Sequence, residues 1–262
     1  MTKHEIPKKH PRFESLRTRE CIIDGMHQKI VAEAGLIAHG RGEAFDYILG
    51  EKTPEFALRQ EIFAVVTMLV AQHPVISVNG NVAALCPKEI VNLSEALDAP
   101  LEINLFYRTE EREAAIKEVL MKAGAESILG IDPSYQNTIT EISHLRRIVD
   151  TRGIASSDCV FVPLEDGDRT IALRKLKKDI VTVDLNPISR TSLTSTVSIT
   201  NNIIRAVVEM TGFINEFKDY SLSDLLEEKN RYNNKDLLQE ALQFMSSRLL
   251  KLANEGNIFK NL

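Results

Sequence analysis

Two short apolar runs and the amphipathic stretch between them form the clearest pattern in the chain. Val160, Phe161 and Val162 stand together and are stopped by Pro163, and Ile180-Val-Thr-Val183 is a second run of the same kind. Unbroken runs of this length suit strands buried on both faces, as in a parallel sheet. Between them, Ile171, Leu173, Arg174 and Leu176 fit one amphipathic helix. Strand, helix and strand within about thirty residues make a β-α-β unit. A polar cluster follows each strand: Glu165-Asp-Gly-Asp-Arg169 after the first and Asp184-Leu-Asn-Pro-Ile-Ser-Arg190 after the second. In open α/β sheets ligands bind outside the carboxyl ends of the strands, so both clusters should face one crevice.

The same alternation runs along the chain. Residues 1–13 are polar, carry Pro7 and Pro11, and predict an irregular arm. Leu16, Ile22, Ile23, Met26 and Ile30 mark the apolar side of a helix over 14–34, with Gly35 as its stop. Gly40-Arg41-Gly42 reads as a turn whose backbone can approach a ligand; Phe45 stands where a dinucleotide fingerprint would need its third glycine. Thr53 as cap, Pro54 at the first helical position and Glu55 start a helix to Gln72, apolar nearly all round from Ile62 to Val70. A strand over 73–78 is followed by the polar turn Asn79-Gly-Asn81. A helix over 87–97, a strand over 101–106, a helix from its cap Thr109 to Gly124 and a strand over 127–131 come next.

In 132–152, Ile142, Leu145 and Ile148 suggest one helix. After the central unit, a strand over 195–200 leads to a helix capped by Asn201 or Asn202 and reaching Phe217, then to tail helices over 221–228 and 234–254. About six strands separated by helices predict an α/β, Rossmann-like fold with a mainly parallel sheet. One domain is expected, with an arm and helices over 1–72, the sheet core over 73–218 and C-terminal helices over 219–262. Leu237, Leu238, Ala241, Leu242, Met245 and Leu249 form a stripe that should pack on the sheet or on another subunit.

Composition narrows the class. With 262 residues, 44% of them hydrophobic, the chain can fill a sizeable core. A net charge of −5 speaks against a general nucleic-acid binder. No apolar run approaches the ~20 residues of a membrane helix, and the start does not resemble a signal peptide. Cys21, Cys86 and Cys159 lack metal or redox spacing and read as reduced thiols, so a cytoplasmic protein is expected.

Catalytic motifs of the common kinds are missing: the chain has no Walker A, no GxSxG and no HExxH. His39, beside Gly40, is the one histidine in a motif-like place. Asp166, Asp168 and Asp184 are candidates for Mg²⁺, which takes one or two carboxylates plus phosphates, or are solvated loop acids. The arginines say more. Arg19 falls on the first helix, Arg41 between two glycines, and Arg108, Arg169 and Arg190 after strands. Arginine matches phosphate and carboxylate with a rigid fork, and this gathering points to an anionic ligand.

Longer blocks carry a resemblance. Leu36-Ile-Ala-His-Gly-Arg-Gly-Glu-Ala-Phe-Asp-Tyr47, His73-Pro-Val-Ile-Ser-Val-Asn-Gly-Asn-Val-Ala-Ala-Leu85, Ile103-Asn-Leu-Phe-Tyr-Arg-Thr-Glu110, Val162-Pro-Leu-Glu-Asp-Gly-Asp-Arg-Thr170 and Val183-Asp-Leu-Asn-Pro-Ile-Ser-Arg190 resemble the archaeal phosphopantothenate synthetases, or 4-phosphopantoate–β-alanine ligases. They stand in family order over about 6–207. The resemblance implies a dimeric, Rossmann-like ligase of coenzyme A synthesis that uses ATP, with Mg²⁺, to join 4-phosphopantoate to β-alanine. It places ATP contacts on Arg19, Arg41, Asp184, Leu185, Asn186, Arg190, Thr191, Asn202 and Ile203. Arg41 and Arg190 are the expected charge-neutralising catalytic pair. His39, Asn79, Asn81 and Arg108 are candidates for the acid and amine substrates, and Asp166 and Asp168 for the metal. Asn201 stands where the resemblance leads one to expect aspartate. Two other readings remain open, a nicotinamide- or S-adenosylmethionine-dependent Rossmann enzyme and a non-catalytic nucleotide sensor.

Overall fold

A computed structural model describes residues 7–10, 12–164 and 166–255; the outer parts of the expected arm and tail, and Glu165 of the first polar cluster, lie outside the described residues. Helix α1 (Phe13–His27) stops well before Gly35. Lys29 takes a positive φ of 64°, and Ile30 and Val31 turn inward and are buried. The expected helix over 14–34 is therefore broken by burial of its own apolar residues.

Helix α2 (Glu33–Leu49) follows and runs straight through Gly40-Arg41-Gly42, which corrects the expected turn. A glycine costs a helix interior about 0.5–1 kcal/mol relative to alanine, and packing of Leu49 beneath the helix, with Phe45 and Ile48 beside it, outweighs that cost. Helix α3 (Glu55–Leu69) begins one residue later than Thr53-Pro-Glu predicts, with Pro54 at the cap position and Thr53 Oγ1 donating instead to Glu209 Oε2 at 3.0 Å, and it is buried along nearly its whole length.

The sheet then starts. Strand β1 (Pro74–Val78) leads through Asn79 into α4 (Gly80–Leu85), so Asn79-Gly-Asn81 opens a short helix. Helix α5 (Pro87–Leu97), β2 (Leu101–Ile103) and α6 (Glu110–Lys122) match the expected elements. Beside β2, the expected strand over 127–131 is reduced to a single parallel bridge, Glu102 with Leu129.

The segment 132–152 is a hairpin of β3 (Gln136–Thr138) and antiparallel β4 (Ile148–Asp150), with short 3₁₀ turns before and between the strands. Ile139, Ile142 and Val149 are buried there while Leu145 is exposed. Apolar residues three apart imitated a helix, but of Ile142, Leu145 and Ile148 only Ile142 is fully buried.

Strand β5 (Cys159–Pro163), α7 (Gly167–Lys175) and β6 (Asp179–Val183) form the central unit. Helix α8 (Arg190–Thr194), β7 (Val197–Ile199), α9 (Ile203–Phe217), α10 (Leu222–Asn230) and α11 (Asn234–Glu255) complete the described chain. The five-stranded sheet has the order β2-β1-β5-β6-β7, parallel throughout. It is an α/β, Rossmann-like sheet, with five strands where about six were expected.

Strand periodicity divides the core. Ile76, Val78, Phe161, Val181 and Val183 belong to one buried cluster, with α3, α5 and α9. Val75, Val160, Val162 and Ile180 belong to a second, with α7 and the hairpin. Burial on both faces explains the unbroken apolar runs. In α11, Leu237, Leu238, Ala241 and Met245 are buried within the chain, whereas Leu242 and Leu249 stay exposed. No described helix is long and apolar enough to cross a membrane.

Candidate active site

The neighbours of β1 in the sheet are β2, which follows it in the chain, and β5, which comes much later. Such a reversal of strand order opens a crevice at the carboxyl ends of the strands. A cavity of about 790 Å³ lies there, walled on its far side by α2. On that wall Gly42 faces Leu185, where a Cβ would stand 3.4 Å from Leu185 Cδ1, an ordinary contact.

One end of the cavity is built after β6 and β7. Asp184 accepts hydrogen bonds from Asn186 N at 2.9 Å and from Ser189 Oγ, and Asn186 Oδ1 accepts from Ile188 N at 3.1 Å. These short-range bonds fix the loop that continues β6. Asn202 caps α9 and donates through Nδ2 to Asp46 Oδ2 at 2.8 Å. Asp46, on α2, also takes Arg205 Nη2 at 2.6 Å. The bond ties the far wall to the sheet.

Beneath this end, Arg205 Nε donates to Asn201 Oδ1 at 3.0 Å, and Asn201 Nδ2 donates to Glu61 Oε1 at 2.9 Å. Burial pushes Glu61 up to about 9 against the opposing hydrogen bond from Asn201, and nearby Glu209 raises it further. Its carboxyl therefore keeps its proton at neutral pH.

The other end is built after β1 and β2. Asn79 caps α4 through Val82 N at 3.1 Å and donates to Pro163 O at 3.0 Å, joining the ends of β1 and β5. Asn81 Nδ2 donates to Gly35 O at 2.9 Å. Arg112, on α6, donates to Ile30 O at 2.8 Å and to Tyr107 O. Arg146, from the turn between the hairpin strands, donates to Asp166 Oδ2.

Asp166 also pairs with Arg169 Nε at 2.8 Å. Burial alone would raise its carboxyl, but Arg169 and Arg146 hold it below the usual range. Arg169 is itself fully buried, donating to Ser77 Oγ at 2.7 Å and Asn104 Oδ1 at 2.8 Å, and burial lowers it to about 10.

On α2, His39 is pushed down chiefly by burial, with Glu43 acting against that and Arg19 adding to it. Glu43 accepts from Arg19 at 2.9 Å and from Tyr47 at 2.6 Å; these contacts overcome its own burial and lower its carboxyl.

His39, Arg41, Asn79, Asn81, Asp184, Leu185, Asn186, Asn202 and Ile203 line the cavity together. Other expected residues are committed elsewhere. Arg19 is held on Glu43, and Arg190, with 68% of its side chain exposed, pairs with Asp168 at 2.5 Å. Thr191 is buried, its Oγ1 accepting from Asp166 N at 3.0 Å. Arg108 is locked between Glu113 at 2.5 Å and Gly130 O at 2.6 Å. The donor set expected for Mg²⁺ does not fit a cation, because Asp166 is engaged by two guanidinium groups and Asp168 by a third. Among the described residues no three His, Cys, Asp or Glu gather as ligands.

The sequence reading missed Asp46, Arg112, Arg146 and Arg205, which line the same cavity. Arg205 lies three residues after the cap Asn202 on α9, as helical periodicity placed from Asn202 would have indicated, whereas Asp46 lies on α2, where a turn was expected.

The chain is similar to known proteins over nearly its whole length. A family model described as phosphopantothenate/pantothenate synthetase matches residues 56–248. The 4-phosphopantoate–beta-alanine ligase of Thermococcus kodakarensis is 53% identical over 252 residues, covering 96% of each chain. That of Thermococcus onnurineus is 51% identical over 257 residues, 98% of this chain and 97% of its own. That of Methanosarcina mazei is 45% identical over 251 residues, 96% of this chain and 98% of its own. By the family model and these matches over nearly its whole length, the chain belongs to the phosphopantothenate/pantothenate synthetase family.

Proposed function

We propose that this protein is an ATP-dependent ligase of coenzyme A synthesis that condenses 4-phosphopantoate with β-alanine to 4′-phosphopantothenate, releasing AMP and diphosphate. The observation that carries the reading is one cavity with two differently built ends at the carboxyl edge of the sheet. The β6–β7 end presents Asp184, Asn186 and Asn202, and the β1–β2 end presents Arg112 and Arg146. An acidic side chain after a strand suits a ribose hydroxyl, as in other nucleotide-binding sheets.

In this reading the carboxylate oxygen of 4-phosphopantoate attacks the α-phosphorus of ATP, and diphosphate leaves. The amine of β-alanine, having lost its proton, then attacks the acyl carbon, and AMP departs with the acyl C–O bond. Both reactants of the first step are anions, so positioning and charge neutralisation are the main demands on the protein. Arg41, on the α2 wall, is assigned to the ATP phosphates. Arg190 remains a candidate only if its pairing with Asp168 opens. Aspartates 166 and 168 do not suit a Mg²⁺ ion, and no step is assigned to one.

Labelled ATP tests the chemistry. AMP should appear in step with 4′-phosphopantothenate and only when both acid and amine are supplied; ADP in step with product would refute the adenylate route. We further propose a cytoplasmic homodimer, since large apolar side chains such as Leu242, Leu249 and Leu250 remain exposed on α11. A monomer by light scattering at micromolar concentration would refute the assembly.

A further inference from the structure

We propose that Arg112 and Arg146 form a dedicated subsite for the phosphoryl group of the acid substrate, apart from the nucleotide end of the cavity. The inference rests on the ligase reading and adds to it which end takes which anion. Strand order sets the separation. The cavity is lined by Phe106 and Tyr107 after β2 at one edge of the sheet and by Asn202 after β7 at the other. Four strand spacings of about 4.8 Å put these edges roughly 19 Å apart, while Asp166, which holds Arg146, follows β5, two spacings or roughly 10 Å from β7.

Both guanidinium groups are held from behind. Arg112 is fixed by the carbonyls of Ile30 and Tyr107, and Arg146 by Asp166. In each, Nε is buried and has no hydrogen-bond partner among the described residues. The two charges are close enough to oppose each other: burial lowers Arg112 first, and the charge of Arg146 lowers it further.

The local charge balance names the ligand class. Arg112, Arg146 and Arg169 stand against Asp166; Glu102, which also acts on Arg169, is pushed up to about 7 by burial and is only partly ionised near neutral pH, which leaves between one and two positive charges. Other nearby carboxylates have partners of their own, Glu113 in Arg108 and Asp150 in Arg152. Uncompensated charge in a half-buried site is costly until an opposite charge arrives. A phosphomonoester carries about −1.5 to −2 near neutral pH, which matches two guanidinium groups. A carboxylate alone would leave up to one charge unmatched, and the ammonium of β-alanine would be repelled. Arginine also reads the phosphate geometrically, through parallel N–H donors.

Asp166 and buried Arg169 act as positioning residues. Arg169 holds Asp166, and Asp166 aims Arg146, so the hairpin donates a cavity residue whose direction is set from the sheet.

The test is steady-state kinetics of the full chain with ATP, β-alanine and either 4-phosphopantoate or unphosphorylated pantoate. Arg146→Gln and Arg112→Gln should each raise KM for 4-phosphopantoate about tenfold or more, leave KM for ATP nearly unchanged, and erase the preference for the phosphorylated acid. In the unaltered protein, inorganic phosphate should compete with 4-phosphopantoate and not with ATP. That measurement stands even where a variant melts. Retained preference in both folded variants, a rise in KM for ATP alone, or phosphate competing with ATP would overturn the subsite. If the unaltered protein forms no product from 4-phosphopantoate, the ligase reading itself falls; if it forms product and the variants still discriminate, only the subsite falls.

Discussion

Replacing Gly80 by Ala should destabilise the protein, although the substitution favours a helix. Gly80 is the first residue of α4, and a Cβ there would overlap the carbonyl oxygen of Ile30 and sit 2.8 Å from Arg112 Nη2. The carbonyl belongs to backbone between α1 and α2 and cannot rotate aside like a side-chain tip. Overpacking of this kind costs about 1–3 kcal/mol. Displacing Arg112 from Ile30 O adds a lost charge-assisted hydrogen bond, about 1.5–3 kcal/mol. Better helix propensity returns at most about 1 kcal/mol. The net loss is therefore about 1.5–5 kcal/mol, and at about 2–4 °C of Tm per kcal/mol for large chains the melting point should fall by roughly 3–20 °C. Calorimetry of Gly80→Ala beside Gly212→Ala makes the comparison internal. Gly212 lies within α9 and meets nothing within 4 Å, so alanine there should hold or raise Tm. Equal melting points for the two variants would refute the close-approach argument.

Arg41→Lys keeps the charge but loses the two-pronged donor, and should lower kcat/KM by one to two orders of magnitude, about 1.4–2.8 kcal/mol. Arg41→Ala should cost more, with melting unchanged because Arg41 is exposed; near-normal turnover in folded Arg41→Ala would remove α2 from the site. Glu61 predicts a pH effect. Its folded pKa, about 9, lies above the ordinary 4.5, so its favourable contribution is complete below about 4.5 and is lost as pH rises through about 9. Glu61→Gln should flatten the fall of Tm between pH 5 and 9; parallel curves for the two proteins would show that Glu61 ionises normally.

The strands were legible because both their faces are buried: Val160 and Phe161 point to opposite clusters yet are equally apolar. Site residues next to strand ends, such as Asn79 and Asp184, were legible for the same reason, since the strand fixes where they emerge. Arg112 and Arg146 were not. Their place depends on which way α6 turns and on a hairpin whose apolar spacing imitates a helix. Gly40-Arg41-Gly42 misled in another way: the glycines suggested a turn, whereas both sit inside α2, whose packing offsets their poor helix propensity. Arg108 was misplaced because a charge after a strand looks the same in sequence whether it meets solvent or Glu113.

The lining of the cavity begins at Glu14 and ends at Arg205. A polypeptide emerging from the ribosome therefore has no complete pocket until α9 has been made and has docked on α2 through Asp46. No excised fragment ending before Asn202 holds both ends of it. Occupancy thus reports on the assembled chain, and a ligand at a hundred times its Kd should protect the whole protein by about 2.7 kcal/mol, not merely the loops it touches.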